Sequence, residues 1–343
     1  MTRYILRRLL EAVPLLTLIT IFVFLLLQVS GDPLAYLAQD PRVREGDRAL
    51  LRARYGLDDP LPVRFVTWLV GDDWRVRDCN GDGTPDCPGV TQGILRGDLG
   101  ESIRTRQPVE VVFANALPNT LLLGLTVQVV VIIVALCLGI FTALRPYSAV
   151  DNVLTGFSFI AFSMPVFLIA LLLVQVFAIQ FRAWGLPFLP TGGMYDARGD
   201  RSLDELIRHM ILPVLSLSLI QIAGYSRYIR ATMLEVINSD YIRTARAKGL
   251  INRRIVFLHA LKNASLPIIT LIALDIPGIL SGAVITETIF SWPGMGRLFI
   301  QSLEQLDPPV LMVFVLITAV AVVLFQLVAD ILYAMLDPRV RYN

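Results

Sequence analysis

Residues 78–86 read Asp78-Cys79-Asn80-Gly81-Asp82-Gly83-Thr84-Pro85-Asp86, with an oxygen-bearing side chain at every second position and glycine at the sixth. That spacing fits the opening of a calcium loop, whose ligands sit at positions one, three, five, seven and nine around a sharp glycine turn. The twelfth position, where a bidentate glutamate belongs, is Gly89. Two readings therefore stand, a structural calcium or an acidic turn without metal. Cys79 lies near the start of the segment and Cys87 directly follows it, and in an oxidising compartment a disulfide between them is expected to stiffen it.

Other reactive side chains are sparse. The two histidines, His209 and His259, share no metal spacing with each other or with a cysteine, and His-Glu-x-x-His is absent. No glycine precedes a lysine, so the chain has no Gly-x₄-Gly-Lys-Ser/Thr phosphate loop and cannot bind and hydrolyse ATP in that manner. Nothing positions a serine nucleophile against a histidine base. Cys137, in an apolar run, reads as a small buried hydrophobe. A net charge of +2 gives no bulk reason to invoke nucleic acid.

The elements around these residues are apolar. The chain is 55% hydrophobic and only 17% charged, with mean hydropathy +0.65; soluble domains carry about 25% charged residues. Residues 12–31 form a charge-free run of 20, enough at about 1.5 Å per residue to cross a hydrocarbon layer of roughly 30 Å. Its length and the lack of a small-x-small site favour a retained span over a cleaved signal. Five more runs follow at 111–144, 152–181, 209–226, 263–290 and 308–336. Backbone groups in lipid must be satisfied within their own segment, so these are expected to be helices, six in all. Pro165, Pro213, Pro267 and Pro277 are expected to kink theirs.

Ionisable and amide side chains inside these runs are expensive, and hence candidates for a polar path. Asp275 lies near Pro277 and Gly278; it meets a substrate amine, pairs with a neighbouring helix or faces a wet cavity. Glu287 and Asp330 lie nearer helix ends, where solvation at the interface competes with a path role. Gln128, Gln175, Gln221 and Gln326 line the path or hydrogen-bond between helices.

Orientation follows from basic residues in short loops. The connection 227–262 carries eight basic and two acidic side chains, whereas 182–208 carries four of each. Three arginines precede the first run, and Arg339 and Arg341 follow the last. Both termini and the 227–262 loop are therefore expected in the cytoplasm, with 31–110 outside as a small cap of helices and loops. In that cap 50–57 reads as a short helix ending at Gly56, and 65–70 as a second apolar patch. The division expected is 1–30 for the amino terminus and first span, 31–110 for the cap, and 111–343 for a core of five spans.

The cytoplasmic loop carries the most local information. Asp240 is expected to cap a helix from Tyr241 to Lys248 that stops at Gly249, and Asn252 a second helix running through His259. Ala245, Ala247 and Gly249 leave little bulk at the elbow, while Arg246, Lys248, Arg253 and Arg254 surround it with positive charge. It reads as a docking site for another protein or as a basic loop touching water and anionic lipid.

Here a resemblance becomes specific. Tyr241-Ile-Arg-Thr244-Ala245-Arg246-Ala247-Lys248-Gly249-Leu250, then His259-Ala-Leu-Lys-Asn263 and Leu266-Pro267, resembles the coupling loop of binding-protein-dependent ABC importer permeases. The match is to the dipeptide/oligopeptide/nickel branch, first permease of the pair. Tyr4-Ile-Leu-Arg-Arg8, Gly31-Asp-Pro33, Tyr55-Gly-Leu-Asp-Asp-Pro-Leu-Pro-Val63, Gly97-Asp-Leu-Gly100, Leu117-Pro-Asn-Thr120, Glu287-Thr-Ile-Phe-Ser-Trp-Pro-Gly-Met-Gly-Arg297 and Asp337-Pro-Arg339 follow in that branch's order. Residues 71–93 look like an insertion. Gln326 stands where asparagine is usual, and Pro308 where an aromatic residue is common.

The resemblance implies a type I ABC importer permease fold, all-α, in the inner membrane of a prokaryote. It further implies a second homologous permease, two ATPase subunits holding ATP and magnesium, and an extracytoplasmic solute-binding protein. Arg253, Arg254 and the 241–250 segment would meet the ATPases; Gln128, Gln221, Asp275 and Glu287 would border the path. The reading from another class is a passive channel or membrane scaffold with a docking loop.

Overall fold

The computed structural model describes residues 2–35, 45–78, 84, 87–89, 91–262, 264, 268, 271, 272, 275, 278, 279 and 283–336. The chain forms two compact units, one of Thr2–Asn115 with Leu298–Val320 and one of Ala116–Arg297 with the chain from Ala321 on. Helices dominate. Among the described residues five are long and apolar enough to cross a membrane: Ile5–Val29, Val109–Leu144, Val166–Ala183, Leu203–Ile237 and Pro308–Val328. Of the expected span at 263–290, 13 of the 28 residues lie outside the described residues, Pro267 and Pro277 with their expected kinks among them.

In the unit of Thr2–Asn115 with Leu298–Val320, α1 (Thr2–Val29) is followed by α2 (Glu45–Arg54) and α3 (Leu61–Val70). Gly56, at φ 59°, ends α2 as expected: Gly56 N donates to Ala53 O and Leu57 N to Arg52 O, satisfying carbonyls the helix cannot. Arg52 then bridges Asp32 and Asp58 at 2.6 Å each. Phe24 of α1 meets Phe65 of α3 edge to face.

The segment read as an insertion is pinned at its base. β1 (Val76–Arg77) and β2 (Cys87–Pro88) pair antiparallel, Arg77 opposite Cys87, closing the loop between them. Cys87 is disulfide-bonded; Cys79, Asn80, Asp82 and Asp86 lie outside the described residues. Asp78 is half-buried and Thr84 exposed. Gly89 has no room for a side chain, since a Cβ there would lie 1.9 Å from Asp72 O. Asp72 holds the ribbon to Thr91, its Oδ1 accepting from Thr91 N and Oγ1.

The helix α4 (Val109–Leu144) runs unbroken for 36 residues. Cys137 on it is exposed rather than buried; it stands on the outer face of an apolar helix, where lipid is as good a neighbour as protein. The run expected as one span at 152–181 divides. Ser148 Oγ accepts from Asp151 N to start α5 (Ala149–Ser163), and Met164 is extended at ψ 135°. Pro165 enforces the break, because its ring excludes the helical region for the residue before it. The helix resumes as α6 (Val166–Leu173), winds as a π-helix over Val174–Gln180 and ends as α7 (Phe181–Ala183).

The shortest run, 209–226, lies within a much longer helix, α8 (Leu203–Ile237). Charges that bounded the run are accommodated in place. The Arg227 guanidinium stacks on Phe159 and Phe162 at 4.9 and 5.1 Å, and Arg230 makes two bonds to Asp151 at 2.9 and 2.8 Å. Pro213 sits inside α8 without ending it. Then come α9 (Asp240–Ala247), α10 (Asn252–Arg254), a π-helix over Ile255–Ala260, α11 (Val284–Ile289), α12 (Met295–Glu304) and α13 (Pro308–Leu336).

Candidate functional site

The elbow after α8 is built by small corrections to the expected caps. Ser239, not Asp240, precedes α9; Asp240 is its first residue, where a carboxylate complements the helix dipole. At the other end Gly249 takes φ 75°, Gly249 N donates to Arg246 O and Leu250 N to Ala245 O. That paired closure needs a left-handed residue, which explains the glycine. Ile251 rather than Asn252 precedes α10.

The amphipathic face of α9 decides what it shows. Ile242 and Ala245 are buried in the same apolar cluster as Ile255, Val256 and Ala260. Ala245 therefore anchors the elbow and offers no surface. Tyr241, Thr244, Arg246, Ala247, Lys248, Gly249, Arg253 and Arg254 are exposed, and Leu250 is half-buried. A Cβ on Gly249 would meet nothing within 4 Å, so its surroundings are open. The exposed face of the elbow carries Arg246, Lys248, Arg253 and Arg254, while Ile242 and Ala245 seat α9 beneath it.

A second feature lies among α4, α8 and the described part of 264–289. A cavity of about 370 Å³ is bordered by Thr120, Gln128, Gln221, Asp275 and Glu287, with Leu123, Val127 and Leu217. The four polar residues named from sequence thus share one cavity. Gln175 and Gln326 are exposed and do not border it. Tyr225 Oη donates to Asp275, and Gln128 Nε2 is buried without a hydrogen-bond partner. Asp275 is exposed to the open space. Gly124 lets Ile279 approach, where a Cβ would lie 2.2 Å from its Cγ2.

Glu287 is neither solvated nor free. It is fully buried; Oε1 accepts from Thr120 Oγ1 at 2.8 Å, and Oε2 from Gly296 N and Arg297 N at 2.7 and 3.1 Å. Its carboxylate ties α11 to the start of α12 at the cavity's edge. Trp292, also fully buried, donates Nε1–H to Asn119 O, while Asn119 Nδ2 donates to Pro293 O. The Leu-Pro-Asn-Thr motif and the Glu287–Arg297 motif are one structural lock. Gly294 and Gly296 are required by it, since a Cβ on either would lie 2.5–2.6 Å from Thr120 Oγ1 or Val284 Cα.

Sequence reasoning missed Thr120, Tyr225 and Trp292 as partners in these clusters. Thr120 and Trp292 lay inside the motifs that carried the resemblance; for Tyr225 no local signal existed.

Sequence comparisons with known proteins extend over the whole length. Residues 135–342 match the family described as binding-protein-dependent transport system inner membrane component, and residues 1–126 match its N-terminal companion. The chain is 40% identical to the oligopeptide transport system permease protein AppB of Bacillus subtilis, covering 100% of both chains. It is 33% identical to the dipeptide transport system permease protein DppB of Escherichia coli K12, again over 100% of both. A solved structure of the MetNI methionine ABC transporter in inward-facing conformations aligns with TM-score 0.52 at 14% identity, covering 67% of this chain and 99% of that one, a likeness of fold. With an unbroken match from end to end and apolar helices to cross a membrane, this chain belongs to the binding-protein-dependent transport system inner membrane components.

Proposed function

We propose that the chain forms half of the path by which peptides, or solutes of similar size, cross the membrane in an ATP-driven importer. Full-length identity of 40% and 33% to oligopeptide and dipeptide permeases supports that substrate class. The chain is a transport subunit, and hydrolysis belongs to partner ATPases. In this reading a second homologous permease completes the path, two ATPases act from the cytoplasm, and a binding protein delivers solute from outside. Six spans, both termini inside and an outer cap over 31–110 complete the arrangement, with the 78–86 turn as a structural part of the cap, calcium-bound or not.

The observation that carries the proposal is the elbow: α9 is fastened by buried Ile242 and Ala245 while its basic face stays exposed. A push on that face moves α8 and the π-helix after α10 together, because all share one apolar cluster. The cavity between α4 and α8 then changes its access. Asp275, held by Tyr225, would attract a solute ammonium, with Gln128 and Gln221 offering amide contacts.

Reconstituted complex in proteoliposomes tests this. Uptake of a labelled peptide should require internal ATP, and a cysteine at position 246 should cross-link to an ATPase subunit. Uptake without ATP, or an elbow beyond reach of both ATPases, would sink the reading.

A further inference from the structure

The loop between α7 and α8 meets the start of α8 at three side chains that no part of the transport argument uses. Asp196, Glu205 and His209 each place a potential ligand atom within 4.8 Å of the others. His209 is 3% exposed. Its Nδ1 lies 3.1 Å from both Gly192 O and Gly193 O. Both neighbours are carbonyls, which only accept, so Nδ1 carries the proton and donates. In a neutral imidazole that leaves Nε2 with a lone pair.

That lone pair is buried and has no hydrogen-bond partner. Its near neighbour is Asp196 Oδ1 at 3.6 Å, an acceptor. Glu205 stands one turn before His209 on the same helix face. Its oxygens accept from Asp196 N at 2.5 Å and Arg201 N at 3.0 Å, which hold the carboxylate in place and leave lone pairs unused. Gly199 gives it room, for a Cβ there would sit 2.0 Å from Glu205 Oε1. Three electron-pair donors converge with no donor hydrogen among them.

We propose that Asp196, Glu205 and His209 bind a divalent transition-metal ion of the zinc type, fastening this loop to α8. Imidazole nitrogen with two carboxylate oxygens suits zinc, a water filling the fourth position. Ligands at about 2.1 Å from a tetrahedral ion stand about 3.4 Å apart, close to the His209–Asp196 spacing. Asp196, with a side chain 76% exposed, is free to close the remainder. The Nδ1–H bonds to backbone carbonyls are the usual orienting contacts of a metal-bound histidine. His209 links the ion to Gly193, since its Nδ1 donates to Gly193 O and Gly193 N–H donates to Phe290 O at 2.8 Å, so the ion would brace, through His209, the turn that follows α11.

Purified full-length chain in detergent, stripped with a chelator, is titrated with zinc chloride and with magnesium chloride. Expected are one tightly bound zinc per chain by elemental analysis, a melting point raised by several degrees with zinc alone, and at least tenfold weaker zinc binding in Asp196→Ala. Since Asp196 is exposed, that variant should melt as the metal-free wild type does, which separates lost binding from lost folding. Glu205→Gln should weaken binding in the same way. Absence of stoichiometric zinc in the wild type, or zinc binding unchanged in both variants, would overturn the site.

Discussion

Thr120 and Glu287, 167 positions apart, meet in a hydrogen bond of 2.8 Å at the edge of the polar cavity. Thr120 Oγ1 also accepts from Met295 N at 2.7 Å. One hydroxyl therefore satisfies both a buried carboxylate and a buried backbone donor. Thr120→Val keeps the shape and removes both bonds. Unfolding followed by intrinsic fluorescence in detergent should give a loss of about 2–4 kcal/mol, since two buried polar groups lose a partner. Thr120→Ser, which retains the hydroxyl, should stay within about 1 kcal/mol of wild type.

Gly249 separates stability from coupling. Its φ of 75° disfavours any residue with a Cβ, yet the space around it is open. Gly249→Ala should cost about 1–2 kcal/mol in the isolated chain. Gly249→Trp should unfold at nearly the same temperature as Gly249→Ala, while ATP-dependent uptake by the assembled complex falls much further. Equal transport by the two variants would refute close approach of a partner here.

Asp151 anchors α8 to α5. Hydrogen bonding from the Arg230 guanidinium holds its carboxyl below the ordinary value of 3.8, and Tyr147 N also donates to it. A lowered folded value means that this stabilisation is present above 3.8 and is lost as pH falls through the folded value. Asp151→Asn should lower stability at neutral pH by about 1–3 kcal/mol, as expected for bonds to a charged group. The gap between variant and wild type should close in strong acid.

Asp307, just before α13, has the opposite sign. Burial pushes its carboxyl above the ordinary 3.8, although Ser102 Oγ and Ile103 N donate to it. Its contribution is therefore full below 3.8 and falls as pH rises through the higher folded value. Asp307→Asn, neutral at every pH, should flatten the part of the stability profile that lies above the ordinary carboxyl value of 3.8. Melting curves across that range check it; a variant as pH-dependent as wild type would contradict the assignment.

Local signals in the chain were enough for much of this architecture. Apolar run length marked α1, α4 and α13, because a lipid environment demands continuous internal hydrogen bonding. Gly56 and Gly249 marked helix stops through their left-handed backbone, a property of one residue. A kink is what Pro165 suggests in the sequence, but the helix breaks fully there, since a proline also constrains its predecessor, Met164. Arg227 closes the apolar run at 209–226 without ending its helix; the aromatic rings that shelter it, and the Asp151 that pairs with Arg230, lie on another helix.

The sequence by itself determined the membrane character, the basic chemistry of the elbow after α8 and, through ordered motifs, the family. Only the tertiary structure decided that Ala245 is an anchor, that Glu287 is a clamp held by Thr120, and that Gln128, Gln221 and Asp275 border one cavity while Gln175 and Gln326 do not. The reason is physical. Hydropathy and turn chemistry act between near neighbours along the chain, whereas a buried hydroxyl–carboxylate bond depends on which helix faces meet, and no one-dimensional pattern specifies that.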